Sequence, residues 1–263
     1  MKNLVDRFGG NILKLLYSLG EVSLLTYKTI IYSFKKPFSG RNLLDQMVKI
    51  GFNSLPVTLA TAIAVGMVLA LQFGWTLEKK LAGSSQFLGG VVGLSFVREL
   101  GPALTSLMVT GRIGSAIAAE LGTMKVTEQI DALITLSADP IQYLSVPRLL
   151  ASILMFPALA MIANIVGIFG GGLVAISRFN QNANVYIDQM ATYVDFGDVV
   201  TGLIKSSVFG GIMAVISCYQ GFKTYGGAVG VGKSTTKAVV ISSISIIIAD
   251  YFLNMFFIIF FKI

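Results

Sequence analysis

Four ionisable side chains lie inside long apolar runs of this chain: Arg98, Glu99, Lys205 and Asp250. Charge at membrane depth is costly, so such residues mark either a polar pathway for a substrate or a network that pairs helices. Two cations and two acids cancel formally, and either role can use them. A second pattern, Gly227-Ala-Val-Gly-Val-Gly-Lys-Ser234, satisfies the P-loop spacing. That loop cradles phosphate only between a buried strand and a helix of an α/β domain, whereas here an apolar run stands on either side. It reads as a flexible glycine-rich connector, Gly221 to Gly232, whose lysines keep it on one side of the membrane. The chain has no histidine and one cysteine, Cys218. Histidine triads, His/Cys metal clusters, haem attachment and disulfide frameworks are thereby excluded, and Cys218 reads as packing.

The elements that must position these charges are transmembrane helices. Apolar residues make up 54% of the sequence and charged residues 13%, about half the charge of an average soluble domain. Five runs are long enough to cross a bilayer: about Gly51–Trp75, Phe87–Val109, Leu149–Ser177, Val199–Tyr219 and Ala238–Phe261. A polar, helix-prone stretch from Gly111 to Pro147 separates the second and third, and Pro157 is a candidate bend in the third. A polar loop with Asp188 and Asp195 precedes the fourth. At 1.5 Å per residue, Arg98 and Lys205 lie roughly 10–17 Å below the outer ends of their helices, and Asp250 about 16 Å. The four charges thus share one depth.

Lysine and arginine fix the expected orientation. Fourteen lie before span one, between spans two and three, or between spans four and five; four lie on the other side. The excess places the N-terminus in the cytoplasm and the C-terminus outside. The +7 net charge then belongs to cytoplasmic loops rather than to a nucleic-acid surface. Leu4, Phe8, Ile12, Leu15, Leu16 and Leu19 recur at helical spacing among charges, as in a helix lying on the membrane surface. Those charges also argue against a cleavable leader. Small residues recur every four positions at Ala62, Gly66, Ala70 and Gly74, and at Gly202, Ser206 and Gly210. Such ridges let helix backbones approach closely, within the chain or across a dimer.

Three motif blocks carry a resemblance: Arg98-Glu-Leu-Gly-Pro102, Gly111-Arg-Ile-Gly-Ser-Ala-Ile-Ala-Ala-Glu-Leu-Gly-Thr-Met124, and Thr127-Glu-Gln-Ile-Asp-Ala-Leu133. With Ala138-Asp-Pro140, Pro147-Arg148 and Thr235-Thr236, they resemble the MlaE/YrbE family of ABC-transporter permeases over nearly the whole chain. Lys233-Ser234 departs from the arginine and small residue often found there. The resemblance implies an all-α membrane protein in one domain: an interfacial helix and linker over 1–48, and five spans over 49–263. It implies a homodimer in the bacterial inner membrane, served by a cytoplasmic ATPase, often a STAS-domain protein, and an MCE-domain protein outside. ATP and magnesium would belong to the ATPase, leaving this chain without cofactor or catalytic residue. The implied task is lipid transport between the inner membrane and carriers leading to the outer membrane, whose asymmetry depends on it.

By the same resemblance Arg98, Glu99 and Lys205 fall near a lipid cavity, and Asp250 joins them. Glu120, Lys125, Glu128, Gln129 and Asp131 are expected on one short polar coupling helix, stiffly continuous with spans two and three, that docks into the ATPase. Two other classes fit parts of the sequence. An ion-coupled secondary transporter also buries charges, though it usually carries an internal repeat, which this sequence lacks. An intramembrane enzyme would need a nucleophile–base pair or metal ligands.

Overall fold

The computed structural model describes residues 2–35, 40–80 and 87–261. Residues 36–39 and 81–86 and the side chains of Leu4, Phe8, Ile12 and Leu15 lie outside the described residues. What is described is helix joined by turns, without strand. In chain order the helices are α1 (Lys2–Ser33), α2 (Gly40–Ile50), α3 (Leu55–Lys80), α4 (Leu88–Val126), α5 (Gln129–Thr135), α6 (Ile141–Phe179), α7 (Ala183–Tyr193), α8 (Phe196–Phe222) and α9 (Gly227–Phe261). Among the described residues, five helical stretches are long and apolar enough to cross a membrane: α2 with α3, α4, α6, α8 and α9.

Between helices in lipid, close packing replaces the hydrophobic drive of soluble cores, and the small-residue ridges set that packing. Gly66 lies so near α6 that a Cβ there would stand 1.9 Å from the Gly167 carbonyl oxygen. Gly170 meets the Ile63 carbonyl in the same seam, and Gly74 meets the Phe179 ring. On α8 the ridge serves two neighbours, Gly202 against the Val97 carbonyl of α4 and Gly210 against the Ser152 carbonyl of α6. Both ridges therefore act inside one chain. Around them, Val109, Ile113, Phe156, Phe209, Met213 and Ile246 form an apolar core shared by α4, α6, α8 and α9.

Four local expectations are corrected. The helix that carries span two does not end near Val109; α4 continues to Val126 through two π-helical turns, Phe96–Leu100 and Thr110–Gly114. The stretch before span four is helical: the Asn182 carboxamide caps α7 by accepting the Asn184 N–H at 2.9 Å. Tyr186 anchors that helix, buried, with its hydroxyl donating to the Ile168 carbonyl at 2.9 Å. The glycine-rich connector shrinks to a turn at Lys223–Gly226, with φ positive at Gly226 and Gly227. From Gly227 onward the chain is helix, because Gly230, lacking a Cβ, lets the Tyr225 carbonyl fold back against it.

The fourth correction concerns the polar stretch after span two. Glu120 and Lys125 end α4, whereas Gln129 and Asp131 lie on α5. Glu128 separates them in a left-handed conformation at φ 59°, which no α-helix can run through. A second left-handed residue, Ser137, together with Pro140, breaks the chain again before α6. The segment expected to couple is thus an interrupted hairpin tip, and α5 is continuous as a helix with neither span.

Candidate functional site

The membrane charges are arranged by a proline. In an α-helix the carbonyl of Arg98 would accept the N–H of residue 102, but Pro102 has none, and its ring crowds that carbonyl. The local result is the π-helical turn Phe96–Leu100, in which the Gly101 N–H reaches back to the Phe96 carbonyl. Such insertions are frequent at functional positions. Here the turn does two things: it frees the Arg98 carbonyl, and it presents the adjacent Arg98 and Glu99 side chains to different partners.

Lys205 of α8 fills the gap. Its ammonium donates to the Glu99 carboxylate Oε1 at 2.9 Å and to the Arg98 carbonyl at 3.0 Å. The Asp250 carboxylate of α9 stands 3.4 Å away as an ion pair. Two of the ammonium's three N–H bonds thus have acceptors, Asp250 Oδ1 lies at ion-pair distance without a hydrogen bond, and the Lys205 side chain is only 3% exposed. Three helices are therefore tied at one buried cation. Glu99, by contrast, is 43% exposed and opens away from the knot.

Arg98 goes elsewhere. Its Nε donates to Asp198 Oδ1 at 2.7 Å, and Asp198 is 1% exposed while Arg98 is 40% exposed. Asp198 is also the closing residue of the capping box that starts α8 at Asp195, its Oδ2 accepting the Asp195 N–H at 3.1 Å. The four charges expected at one depth are thus two linked groups, with Asp198 an acid that sequence reasoning missed. With it, two cations face three acids. Asp195-Phe-Gly-Asp198 before an apolar run is a capping-box pattern, and that signal could have located it.

The expected coupling residues divide as well. Glu120 is held by Arg148 at 2.9 Å and by Lys49 at 3.5 Å, which braces α4 against α6 and α2. Arg148 is itself buried, with a second bond to the Leu144 carbonyl at 2.8 Å. Lys125 pairs with Asp131 across the Glu128 turn at 3.0 Å. Glu128 and Gln129 stand exposed at the tip beside exposed Ile134 and Leu136.

The P-loop pattern has no phosphate cradle. Its residues form the first turns of α9, and the Gly230 N–H is spent on the Gly226 carbonyl at 3.3 Å. Among the described residues there is no group of three or more His, Cys, Asp or Glu side chains placed to hold a metal ion.

Comparison with known proteins places this geometry in a family. Residues 43–256 match the profile of the family described as Permease MlaE. A relative in Rickettsia typhi, named a probable ABC transporter permease protein, is 44% identical over 252 residues, 96% of each chain. A Synechocystis relative with the same description is 43% identical over 230 residues, covering 88% of this chain and 87% of its own. The chloroplastic protein trigalactosyldiacylglycerol 1 of Arabidopsis thaliana is 43% identical over 237 residues, 90% of this chain and 67% of its own. These matches, over a chain with five helices long and apolar enough to cross a membrane, lead to one assignment: the chain belongs to the MlaE family of ABC-transporter permeases.

Proposed function

We propose that this chain is the membrane subunit of an ATP-driven phospholipid transporter, and that Arg98 and Glu99 face the lipid path. The observation that carries the reading is the asymmetry of the charge cluster. Lys205 and Asp198 are closed off, but Arg98 and Glu99 are each about two-fifths exposed at membrane depth. A network serving only to join helices has no need for half-open charges, which cost free energy against lipid. A phospholipid headgroup, carrying phosphate, is the ligand such an arginine suits. The Arabidopsis relative supports a lipid substrate, since its name is that of a glycolipid.

A second copy of the chain completes the cavity wall, most of α9's surface being open to it. The exposed tip at Glu128 and Gln129 meets a cytoplasmic ATPase, which binds and hydrolyses the ATP. A STAS-domain protein accompanies the ATPase, and an MCE-domain protein receives or delivers lipid outside the inner membrane. The complex thereby maintains outer-membrane lipid asymmetry.

The central test is reconstitution with the ATPase. Arg98→Gln and Glu99→Gln are expected to lower lipid transport at least tenfold while the complex still assembles. Full transport by both variants, or transport that proceeds without the ATPase, overturns the reading; the latter outcome favours a secondary transporter. Glu128→Lys is expected to weaken ATPase docking by about 2–5 kcal/mol, as loss of a buried interfacial charge does. Copurification at full stoichiometry removes Glu128 from the contact. In a Cys218→Ser background, a cysteine at Asn182 should react with an impermeant reagent from outside. One at Tyr225 should react only after permeabilisation; labelling of intact cells there reverses the orientation.

A further inference from the structure

The false P-loop contributes to a groove that the transport path does not use. Val229, Lys233, Lys237 and Ile241 recur every four residues along α9, which puts them on one helix face. That face forms one wall of a groove of about 700 Å³. Its floor is the end of α8, with Ile216, Tyr219 and Lys223, and its far wall is α1, with Leu19 and Val22. Apolar side chains line the side toward the membrane. The lysines stand where α9 leaves it, Lys237 one residue and Lys233 five residues before the apolar run that begins at Ala238.

The groove is unbalanced in charge. Its floor lysine, Lys223, is matched by Glu21 of α1, which also accepts the Tyr219 hydroxyl at 2.7 Å. Neither Lys233 nor Lys237 forms an ion pair among the described residues, and both are exposed. Two free cations about 6 Å apart along a helix, above apolar walls open to acyl chains, complement one kind of molecule. A free anion has no use for the apolar walls, and a zwitterionic lipid gains less from two uncompensated cations. Basic pockets between membrane helices at the cytoplasmic surface take anionic headgroups.

We propose that this groove binds an anionic phospholipid of the cytoplasmic leaflet, its headgroup on Lys233 and Lys237 and its chains along Val22, Ile216 and Ile241. The site is separate from the Arg98–Glu99 path and seats α1 against the α8–α9 hairpin through a lipid. It rests on the proposed orientation, which the Tyr225 cysteine tests by itself.

The binding experiment needs neither orientation nor transport. Dioleoyl phosphatidylglycerol is titrated into the purified full chain in neutral detergent, with melting temperature as the readout. The lipid should raise the melting temperature more than dioleoyl phosphatidylcholine, which has the central path alone to occupy, and inorganic phosphate at equal concentration should not raise it. In K233Q/K237Q the midpoint should move to roughly 30-fold higher phosphatidylglycerol, from about 1 kcal/mol for each lysine at a membrane surface. Both side chains are exposed, so the double variant should fold. Arg98→Gln should keep the wild-type midpoint. An equal response to phosphatidylcholine, an unmoved midpoint in K233Q/K237Q, or a midpoint lost in Arg98→Gln overturns the proposal, the last by moving the lipid to the central path.

Discussion

Where α3 meets α6, Gly66 and Gly167 bring two backbones together, with side chains absent at the closest point. Where α4 meets α8 and α9, one lysine and two carboxylates do the joining. The first contact is satisfied by shape alone and offers a ligand nothing to bind. The second is satisfied by charge and is partly open. A transporter needs both kinds: a seam that holds its register, and a wall whose chemistry can respond to cargo.

The largest expected effect is on the seam. Gly66→Leu drives a side chain into the Gly167 carbonyl, a backbone atom that cannot rotate away. Its cost should exceed the about 1–3 kcal/mol of ordinary overpacking, and little monodisperse protein should be recovered from membranes. A normal yield would show that α3 and α6 can slide, and would blur the contrast.

Lys205→Met comes next. It strands Glu99 and Asp250 beside each other, and removing one partner of a buried ion group costs about 3–5 kcal/mol. Because two acids share the lysine, neutralising one of them cannot rescue the variant. The triple variant Lys205→Met/Glu99→Gln/Asp250→Asn should regain melting temperature while transport stays impaired. Recovery of both would make the knot a purely structural joint, like the seam.

Asp198→Asn should cost less, about 1.5–3 kcal/mol, the range for a hydrogen bond to a charged group. It leaves Arg98 without its anchor, so headgroup affinity should fall more than stability does. Equal losses in lipid binding and melting temperature would return Arg98 to a structural role.

The smallest effect concerns a charge pair outside the membrane. Hydrogen bonds from Lys223 and then Tyr219 hold the Glu21 carboxyl below its usual 4.5, and the bond to Glu21 raises Lys223 above its usual 10.5. The Glu21 contribution is therefore full above about pH 4.5 and is lost as pH falls through its depressed folded value. The Lys223 contribution is full below about pH 10.5 and is lost as pH rises through its raised value. The pair's contribution should therefore not vary with pH near neutrality, and Glu21→Gln should reduce the decline on the acid side. A change with pH in the stability difference between Glu21→Gln and the wild type between pH 6 and 8 would contradict the geometry.

The spans and the small-residue ridges were legible because period and hydropathy are properties of one helix at a time. The position of the membrane charges was legible for the same reason, but their pairing was not. Arg98 chose Asp198 over Asp250, a matter of three-dimensional neighbours, and Asp198 lay hidden in a flank that reads as loop. The residues expected to couple were misplaced on one helix, since nothing in Thr127-Glu128-Gln129 announces a left-handed residue. The glycine-rich segment read as flexible because glycine disfavours helix; close approach of the Tyr225 carbonyl to Gly230 overrode that preference.

The missing N–H of Pro102 also bears on how mutational surveys of this site should be read. Truncating Arg98 to alanine deletes the guanidinium, but the carbonyl that receives Lys205 survives at 3.0 Å, because every residue type supplies one. A side-chain scan at position 98 therefore interrogates the guanidinium, with its Asp198 partnership and its proposed headgroup contact, and leaves the bond from Lys205 to the carbonyl untouched. The variant that probes that anchorage is Pro102→Ala, four residues downstream, which restores a competing amide to the carbonyl without touching any charged side chain.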